Sequence, residues 1–291
     1  LRRQRQMCIR DSFYLYHNMN VGIEDFHEDI LGKAMKGLGI GKSEMAQRLN
    51  SEKSQIEAIL NGEVDENLII SMAGVLDLDG AKLIKSARKE WTPLHFELFG
   101  LRQINSIYGD MMVNAYLVWE EESRKAWIFD TGTDAWPILE FIDKEKLQVD
   151  GIFLTHTHRD HVACLRDLRN EKENPKVYVQ QLELFDQCVP IEEGFEYSID
   201  SLSLVAKHTY GHSVGGMTYI IEGLAKPVAV VGDALFAGSM GGGMVSYADA
   251  LRTNREKIMT LPDDTILCPG HGPLTTIRSE KLRNPFFPEF N

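Results

Sequence analysis

The chain has 291 residues, of which 43% are hydrophobic and 25% charged, and this composition excludes a largely disordered, collagenous or coiled-coil protein. Its formal net charge of −12 disfavours nucleic acid as a partner, and no apolar run approaches the ~20 residues that span a bilayer, so we expect no membrane segment. Because the four cysteines are scattered and the N-terminus lacks the apolar centre of a signal peptide, we expect a cytoplasmic protein.

The first part of the chain predicts a tail followed by a helical domain. We expect residues 1–22 to be a tail that is disordered or stems from a mis-set translation start, because Met19 precedes the first regular pattern. Over residues 23–92 the apolar residues recur with the period of a helix, which predicts an all-helical domain. The first expected helix carries an apolar stripe from Ile30 to Leu38 and ends at Gly39. The other expected helices are Ser43–Leu49, Lys53–Leu60, Glu66–Leu76 and Lys82–Lys89.

Part of this helical domain resembles the helix-turn-helix of phage repressors, in the segments Gly41–Leu49, Ser51–Glu57 and Asn61–Glu63. The resemblance implies that the third helix enters the major groove of DNA with its first residues at base edges, namely Lys53, Ser54 and Gln55. The local charge opposes this, because residues 23–90 carry 9 basic and 13 acidic side chains. A helical bundle that dimerises or covers the next domain is therefore an equal alternative.

At Pro93 the helical pattern of apolar residues is interrupted, and strand-like runs follow. This change predicts a second domain over residues 96–291 that contains both strands and helices. The expected strands are short runs rich in Val, Ile, Leu and Tyr: Val113–Trp119, Ala126–Asp130, Gly151–Thr155, Lys176–Gln180, Leu202–Lys207, Met217–Glu222, Val228–Gly232 and Thr265–Cys268. The expected helices are Trp136–Lys146, His161–Arg169 and Tyr247–Met259. This mixture predicts a layered α/β fold.

The histidines cluster in one short motif. The order His-Thr-His-Arg-Asp-His places His156, His158, Asp160 and His161 on a loop that follows an expected strand. Side chains two residues apart in extended backbone project the same way, whereas Asp160 and His161, at the start of a helix, turn towards a second point. The loop therefore predicts ligands for two metal ions. Three further candidates each follow an apolar run and lie beside a glycine: His212, Asp233 and His271.

Together these motifs resemble the metallo-β-lactamase superfamily, and within it the glyoxalase II-like hydrolases, from about Leu101 to Phe287. The resemblance implies an αβ/βα sandwich with two metal ions at one edge of its two sheets. The implied ligands are His156, His158 and His212 for the first ion, Asp160, His161 and His271 for the second, and Asp233 as the bridge between them. Asp160 and Asp233 are also the expected catalytic carboxylates, and Asp130 corresponds to the aspartate that braces the metal loop.

A site of histidine and aspartate ligands suits divalent metals, with zinc favoured and iron or manganese as alternatives. Two such ions activate a bridging hydroxide, and the resemblance implies that this hydroxide attacks a small-molecule thioester, such as lactoylglutathione, or a related ester. The sequence departs from the pattern of the small glyoxalase II-like proteins at Gly242, where they have an arginine. Its ending is similar to that of the smaller members of the family, so we expect no added glutathione-binding C-terminal domain.

Three alternatives to the thioesterase are kept. The first is a mononuclear iron sulfur dioxygenase of the same superfamily, which would use mainly His156, His212 and Asp233. The second is a lactonase or phosphodiesterase that keeps both metals. The third is a DNA-binding regulator whose metal domain senses a ligand. Homo-oligomerisation is left open by the sequence.

Overall fold

The computed structural model describes residues 21–93, 95, 97–185 and 187–290, so the tail expected for residues 1–22 falls outside it except at its last two positions. Five helices come first: α1 His27–Leu38, α2 Lys42–Leu49, α3 Lys53–Ile59, α4 Glu66–Leu76 and α5 Gly80–Ala87. The remaining elements are, in chain order, β1 Leu101–Tyr108, β2 Met111–Trp119, β3 Lys125–Phe129, α6 Trp136–Glu145, β4 Gln148–Phe153, α7 Arg159–Val162, α8 Leu165–Glu171, β5 Lys176–Gln180, a 3-10 turn Gln181–Glu183, β6 Val189–Ile191, β7 Glu196–Ile199, β8 Leu202–His208, β9 Met217–Glu222, β10 Val228–Gly232, α9 Tyr247–Thr253, a π-helical turn Asn254–Ile258, β11 Ile266–Pro269, β12 Thr275–Thr276 and α10 Ile277–Arg283.

The strands form two mixed six-stranded sheets. In the first sheet the strands follow chain order from β1 to β6, with antiparallel pairing from β1 to β3 and parallel pairing from β3 to β6. In the second sheet the order is β12-β11-β10-β9-β8-β7, and the β10–β11 pair is parallel while the others are antiparallel. Parallel neighbours matter for function, because their carboxyl ends meet at one edge of a sheet.

An apolar core rich in aromatic rings joins the two sheets face to face. Trp127, Phe129 and Phe153 of the first sheet meet Tyr219 of the second, with ring centroids of Phe153 and Tyr219 5.6 Å apart. Strand β10 is buried on both faces: its residues alternate between this core and a second core on the outer side of the sheet. The result is the layered α/β sandwich that the sequence predicts.

Helices cover both outer faces. Helices α6 and α8 pack on the first sheet through Ile138, Ile142 and Leu168. On the second sheet, helices α1 to α5 share one apolar core with the strands and with α9. In α1, Gly37 packs so closely that an added Cβ would lie 2.2 Å from Cγ of Tyr247 in α9. The N-terminal helical region is therefore part of the helical layer that covers the second sheet.

A buried ammonium ties the helical region to the end of the chain. Lys82 of α5 donates from Nζ to the carbonyl oxygens of Lys281, Phe287 and Phe290, at 2.9, 3.0 and 2.6 Å. These three bonds use all the donors of the ammonium group, which is the way a buried lysine is normally satisfied. Among the helices that the structure describes there is none with the length and apolar character needed to cross a bilayer.

Several elements differ from those expected from the sequence. The sequence does not predict strands β1, β6, β7 and β12 or helix α10. Strands β6, β7 and β12 have only 3, 4 and 2 residues, too few for an alternating pattern to stand out. The expected helix His161–Arg169 is interrupted at Cys164, because its amide bonds the carbonyl oxygen of Gly132 (3.3 Å) and Oγ1 of Thr131 (3.2 Å) instead of continuing the helix. The first piece then begins earlier, at Arg159.

Candidate metal centre

Strand ends bring the candidate residues to one edge of the sandwich. The motif with His156 to His161 follows β4, Asp130 follows the parallel neighbour β3, and Asp233 and His271 follow the parallel pair β10 and β11. His212 lies on the turn between β8 and β9. The amide of Gly270 donates to the carbonyl oxygen of Gly232 (2.9 Å), which keeps the last two loops side by side.

The seven candidate ligands form two adjacent groups. In the first, Nδ1 of His158 lies 3.1 Å from Nε2 of His156 and 3.1 Å from Nε2 of His212. In the second, Oδ2 of Asp160 lies 3.5 Å from Nε2 of His161 and 3.2 Å from Nε2 of His271. The ligand atoms of each group lie within 4.8 Å of one another, so each group can hold one ion.

Asp233 lies between the two groups. Its Oδ2 is 3.4 Å from Nε2 of His212 and 3.5 Å from Nε2 of His271, and its Oδ1 is 3.4 Å from Nε2 of His161. One carboxylate therefore faces histidines of both groups, which is the position that a bridging ligand needs. Asp160 and Asp233 are both buried, with 8% of each residue exposed.

Four of the five histidines have their orientation set by a bond from Nδ1. Nδ1 of His161 bonds Oδ2 of Asp130 (2.9 Å), Nδ1 of His212 bonds the carbonyl oxygen of Gly242 (2.9 Å), and Nδ1 of His271 bonds that of Met112 (2.7 Å). Because these oxygens only accept, each Nδ1 donates, and the lone pair of a neutral imidazole is left on Nε2.

The fourth histidine follows the same pattern through Thr155. Oγ1 of Thr155 donates to Oδ2 of Asp130 (2.7 Å) and thus can accept from Nδ1 of His156 (3.0 Å). The Thr155 amide also donates to Oδ1 of Asp130 (2.7 Å). Both carboxylate oxygens of Asp130 are therefore occupied, so Asp130 orients the loop and His161 rather than offering a free oxygen to a metal.

Two buried atoms of the centre fit a metal ion. Nε2 of His161 and Oδ1 of Asp233 are buried and have no hydrogen-bond partner in the described part of the chain. Such groups are costly to bury unless a ligand or ion satisfies them. The backbone leaves room for them because position 270 is a glycine: a Cβ there would lie 2.0 Å from Oδ1 of Asp233.

The electrostatics of the centre are dominated by burial and by Asp233. Burial would raise the pKa of Asp233, but His161 and His271 hold it well below its usual range. Burial, reinforced by His161, lowers the pKa of His156 well below its usual value, which keeps that imidazole neutral. Burial also lowers the pKa of His212, although Asp233 opposes it. At His161 and His271, in contrast, burial is outweighed by Asp233 together with a neighbouring carboxylate, and the pKa is raised, to about 9 for His271. Because neutral imidazoles and ionised carboxylates are the forms that bind divalent metals, metal binding would displace a proton from these two histidines.

Sequence reasoning missed residues that brace these loops from a distance. The carboxylate of Glu183 bonds the amides of Thr157 and Gly215, both at 2.8 Å, and so connects the loops of His158 and His212. Asn114 of β2 donates from Nδ2 to the carbonyl oxygens of Pro269 (2.7 Å) and Gly272 (2.9 Å), on either side of His271. No spacing signal links these residues to the motif, because their roles arise from the fold.

The N-terminal helical region borders the centre. The Glu24 backbone lies against Gly272, and the Glu24 carboxylate interacts electrostatically with His271 and Asp233. Lys33 of α1 forms an ion pair with Asp25 and lies over the ring of Phe236, 4.9 Å from its centroid. The three residues that the helix-turn-helix resemblance suggests for DNA contact lie elsewhere.

Those three residues are exposed at the start of α3 and none joins the metal ligands: Lys53, Ser54 and Gln55. Oε1 of Gln55 accepts from the amide of Glu52 (2.9 Å), and Lys53 lies 3.6 Å from the carboxylate of Glu57. Two of the three side chains are thus engaged in local contacts that cap or brace their own helix. DNA binding by this helix stays a prediction.

Comparisons with known proteins agree with this geometry. The family model described as metallo-beta-lactamase superfamily matches residues 108–186 and 189–271. The chain is 32% identical over 197 residues to the hydroxyacylglutathione hydrolase GloC of Haemophilus influenzae, covering 60% of this chain and 92% of GloC. Among solved structures, the BLEG-1 B3 metallo-beta-lactamase is 30% identical with a TM-score of 0.56, covering 64% of this chain and 98% of that protein.

A second solved structure is TTHA1623 in a di-iron-bound form. It is 26% identical with a TM-score of 0.54, and the match covers 63% of this chain and 99% of that protein. The family model begins at residue 108, so helices α1 to α5 lie outside the matched segments. The matched segments include all seven candidate ligands and more than half of the sequence, and the chain belongs to the metallo-beta-lactamase superfamily.

Proposed function

We propose that this metallo-hydrolase holds two divalent metal ions and cleaves a thioester or a related ester. The observation that carries the proposal is the pair of adjacent ligand groups that share Asp233, whose oxygens face histidines of both groups at 3.4 and 3.5 Å. When bound, two such ions lower the pKa of water towards neutrality and polarise the carbonyl group of the substrate.

In this proposal the protein residues hold and orient the ligands. His156, His158 and His212 hold the first ion, and Asp160, His161 and His271 hold the second. Asp233 would contribute to both sites, and its low pKa keeps it ionised over the whole neutral range. Because the set contains only two carboxylates, the loaded centre keeps a net positive charge, which attracts the oxygen of a substrate carbonyl or carboxylate.

A thioester suits this centre better than an amide. A thiolate, whose conjugate acid has a pKa near ~8.5, leaves without strong help from a general acid, whereas an amine does not. The similarity to GloC, which is named as a hydroxyacylglutathione hydrolase, supports a thioester as the first substrate to test. Zinc is the metal we propose, with iron as the alternative that the di-iron form of TTHA1623 supports.

Turnover of S-lactoylglutathione and of simple acyl thioesters tests the proposal. The protein is stripped with a chelator, reloaded separately with zinc, iron or manganese, and assayed by release of free thiol. We expect hydrolysis by at least one reloaded form and none by the stripped protein. Equal hydrolysis by the stripped and reloaded forms, or oxygen consumption in place of hydrolysis by the iron form, would refute it.

A further inference from the structure

Exposed apolar side chains are concentrated around the candidate metal centre. In the described part of the chain, fourteen large apolar side chains are exposed, and nine of them lie on segments that border the centre. Single exposed apolar residues are ordinary on a protein surface, but a group of them in one place marks a surface that binds something apolar. The nine residues lie on two sides of the centre.

The first side is the one on which the centre is open to solvent, since His158 is exposed and His212 is partly exposed. Leu182 and Leu184 flank Glu183, whose carboxylate bonds the amides of Thr157 and Gly215 at 2.8 Å. These bonds hold the two leucines beside the loops of both histidines. They are 59% and 52% exposed.

Three more apolar residues border the same opening. Val214 follows His212 by two positions. Met244 donates its amide to the carbonyl oxygen of Gly242 (2.8 Å), the same oxygen that accepts from Nδ1 of His212 (2.9 Å). Val245 is anchored through its amide to the carbonyl oxygen of Gly211 (3.0 Å). We call the five residues of this side the apolar collar: Leu182, Leu184, Val214, Met244 and Val245.

The second side is formed mainly by the tip of the β1–β2 hairpin. Its exposed apolar residues are Ile107, Tyr108 and Met111, and Trp136 at the start of α6 is 57% exposed. The hairpin is fixed to the centre because the carbonyl oxygen of Met112 accepts from Nδ1 of His271 (2.7 Å). Thr133 bonds the carbonyl oxygen of Ile107 (2.7 Å), which links the hairpin to the loop before Trp136.

The carboxylate that lies within the apolar collar is already occupied by the protein itself. Glu183, which lies within the apolar collar, accepts three hydrogen bonds from Thr157 and Gly215. Cations also border this opening, because Arg159 is exposed next to His158 and Nζ of Lys36 lies 4.0 Å from Sδ of Met244. The cations suit the polar end of a ligand, whereas the exposed apolar side chains of the collar suit an alkyl chain.

We propose that the apolar collar binds the acyl chain of the substrate, so that the protein prefers thioesters or esters whose acyl group carries an alkyl chain. This proposal rests on the proposed function, because it assumes that the scissile carbonyl lies at the metal centre. Each methylene that leaves water for the collar strengthens binding by about fourfold. Activity should therefore rise with chain length until the chain extends beyond the collar.

Two chain-length series test the proposal. The first measures kcat/KM of the metal-loaded protein for acetyl, butanoyl, hexanoyl and octanoyl thioesters of one thiol. The second measures binding of acetate, hexanoate and octanoate to the metal-free protein by calorimetry. Both use the wild type, a Met244→Ser/Val245→Ser variant of the collar, and Val64→Ser as the matched control, since Val64 is a 50% exposed valine far along the chain from the centre.

We expect kcat/KM to rise by about fourfold per methylene in the wild type and in Val64→Ser, and the rise to be clearly smaller in the collar variant. Octanoate should bind the metal-free wild type more tightly than acetate does. If no thioester is hydrolysed but octanoate keeps this advantage, the proposed function fails while the apolar site stands. Chain-length independence in both series would overturn the proposal. A collar variant that changes only the oligomeric state, with an unchanged chain-length preference, would overturn it as well, because the collar would then be a contact between copies.

Discussion

Glu183 holds Thr157, the residue between His156 and His158, by two hydrogen bonds to one carboxylate oxygen. Oε2 accepts from the amide (2.8 Å) and from the hydroxyl group (3.1 Å) of Thr157. Its other oxygen accepts from the amide of Gly215 (2.8 Å), three residues after His212. A single carboxylate thus fixes the distance between two loops that carry the first group of candidate ligands.

Removing this carboxylate should loosen the first metal site. We expect Glu183→Ala to weaken metal binding about 10- to 100-fold, as is usual when a residue that orients metal ligands is lost. The measurement is competition for the metal with a chelator of known affinity. Glu121→Ala is the matched control, because Glu121 is exposed and far from these loops. Equal metal affinity of the two variants would show that Glu183 does not position the ligands.

A direct ligand should matter more than a residue that orients ligands. We expect His158→Ala to lower hydrolytic activity by at least about 100-fold, because the first group would keep only two of its histidines and Asp233. Circular dichroism should show that the helices stay folded, since His158 is exposed and belongs to no apolar core. His95→Ala, which removes an exposed histidine outside the centre, should leave activity unchanged. Retained turnover in His158→Ala would contradict the proposed ligand set.

Two glycines of helix α1 give a matched test of the packing between the N-terminal helical region and helix α9. A Cβ at position 37 would lie 2.2 Å from Cγ of Tyr247, whereas a Cβ at position 32 would meet nothing within 4 Å. Gly37→Ala should therefore lower the free energy of unfolding by about 1–3 kcal/mol through overpacking. Gly32→Ala should raise it by about 0.5–1 kcal/mol, because alanine favours a helix. Chemical denaturation of both variants measures this, and equal effects would argue against the close contact.

Burial of Glu280 predicts a pH dependence of stability. Burial raises the pKa of this side chain to about 7, although bonds from Thr275, Asn284 and Gly238 oppose the rise. In the unfolded chain the carboxyl group loses its proton near pH 4.5, whereas the folded protein keeps it until about pH 7. The folded state therefore binds more protons in this range, and the free energy of unfolding falls as the pH rises from about 4.5 to about 7.

The expected size of this decrease is about 3 kcal/mol, complete above pH 7. Urea unfolding of the metal-free wild type and of Glu280→Gln across this pH range measures it, since the metal ligands contribute equally to both proteins. The free energy of unfolding of the wild type, relative to that of Glu280→Gln, should fall as the pH rises. The reason is that only the wild type loses stability through this group. Parallel curves would show that Glu280 does not titrate in this range.

The fold and the grouping of the candidate ligands could be predicted from the sequence, whereas the contacts that hold the ligand loops in place could not. The spacing of His156, His158, Asp160 and His161 is a local signal, and it survives in the structure as one loop. The role of Glu183 is not local, because it depends on where β5 ends relative to the β8–β9 turn. The sequence also does not predict that helices α1 to α5 cover the second sheet. Helical periodicity identifies the buried face of a helix but not the surface against which that face packs.

The number of metal ions per chain tests the central claim most directly. After loading with zinc, iron or manganese and removal of excess metal, elemental analysis of the wild type should give two ions per chain for at least one metal. The same analysis of His271→Ala should give one, because this variant removes a ligand that only the second group uses while the first group keeps all three histidines. One ion or none in the wild type under every loading condition would contradict a two-metal hydrolase.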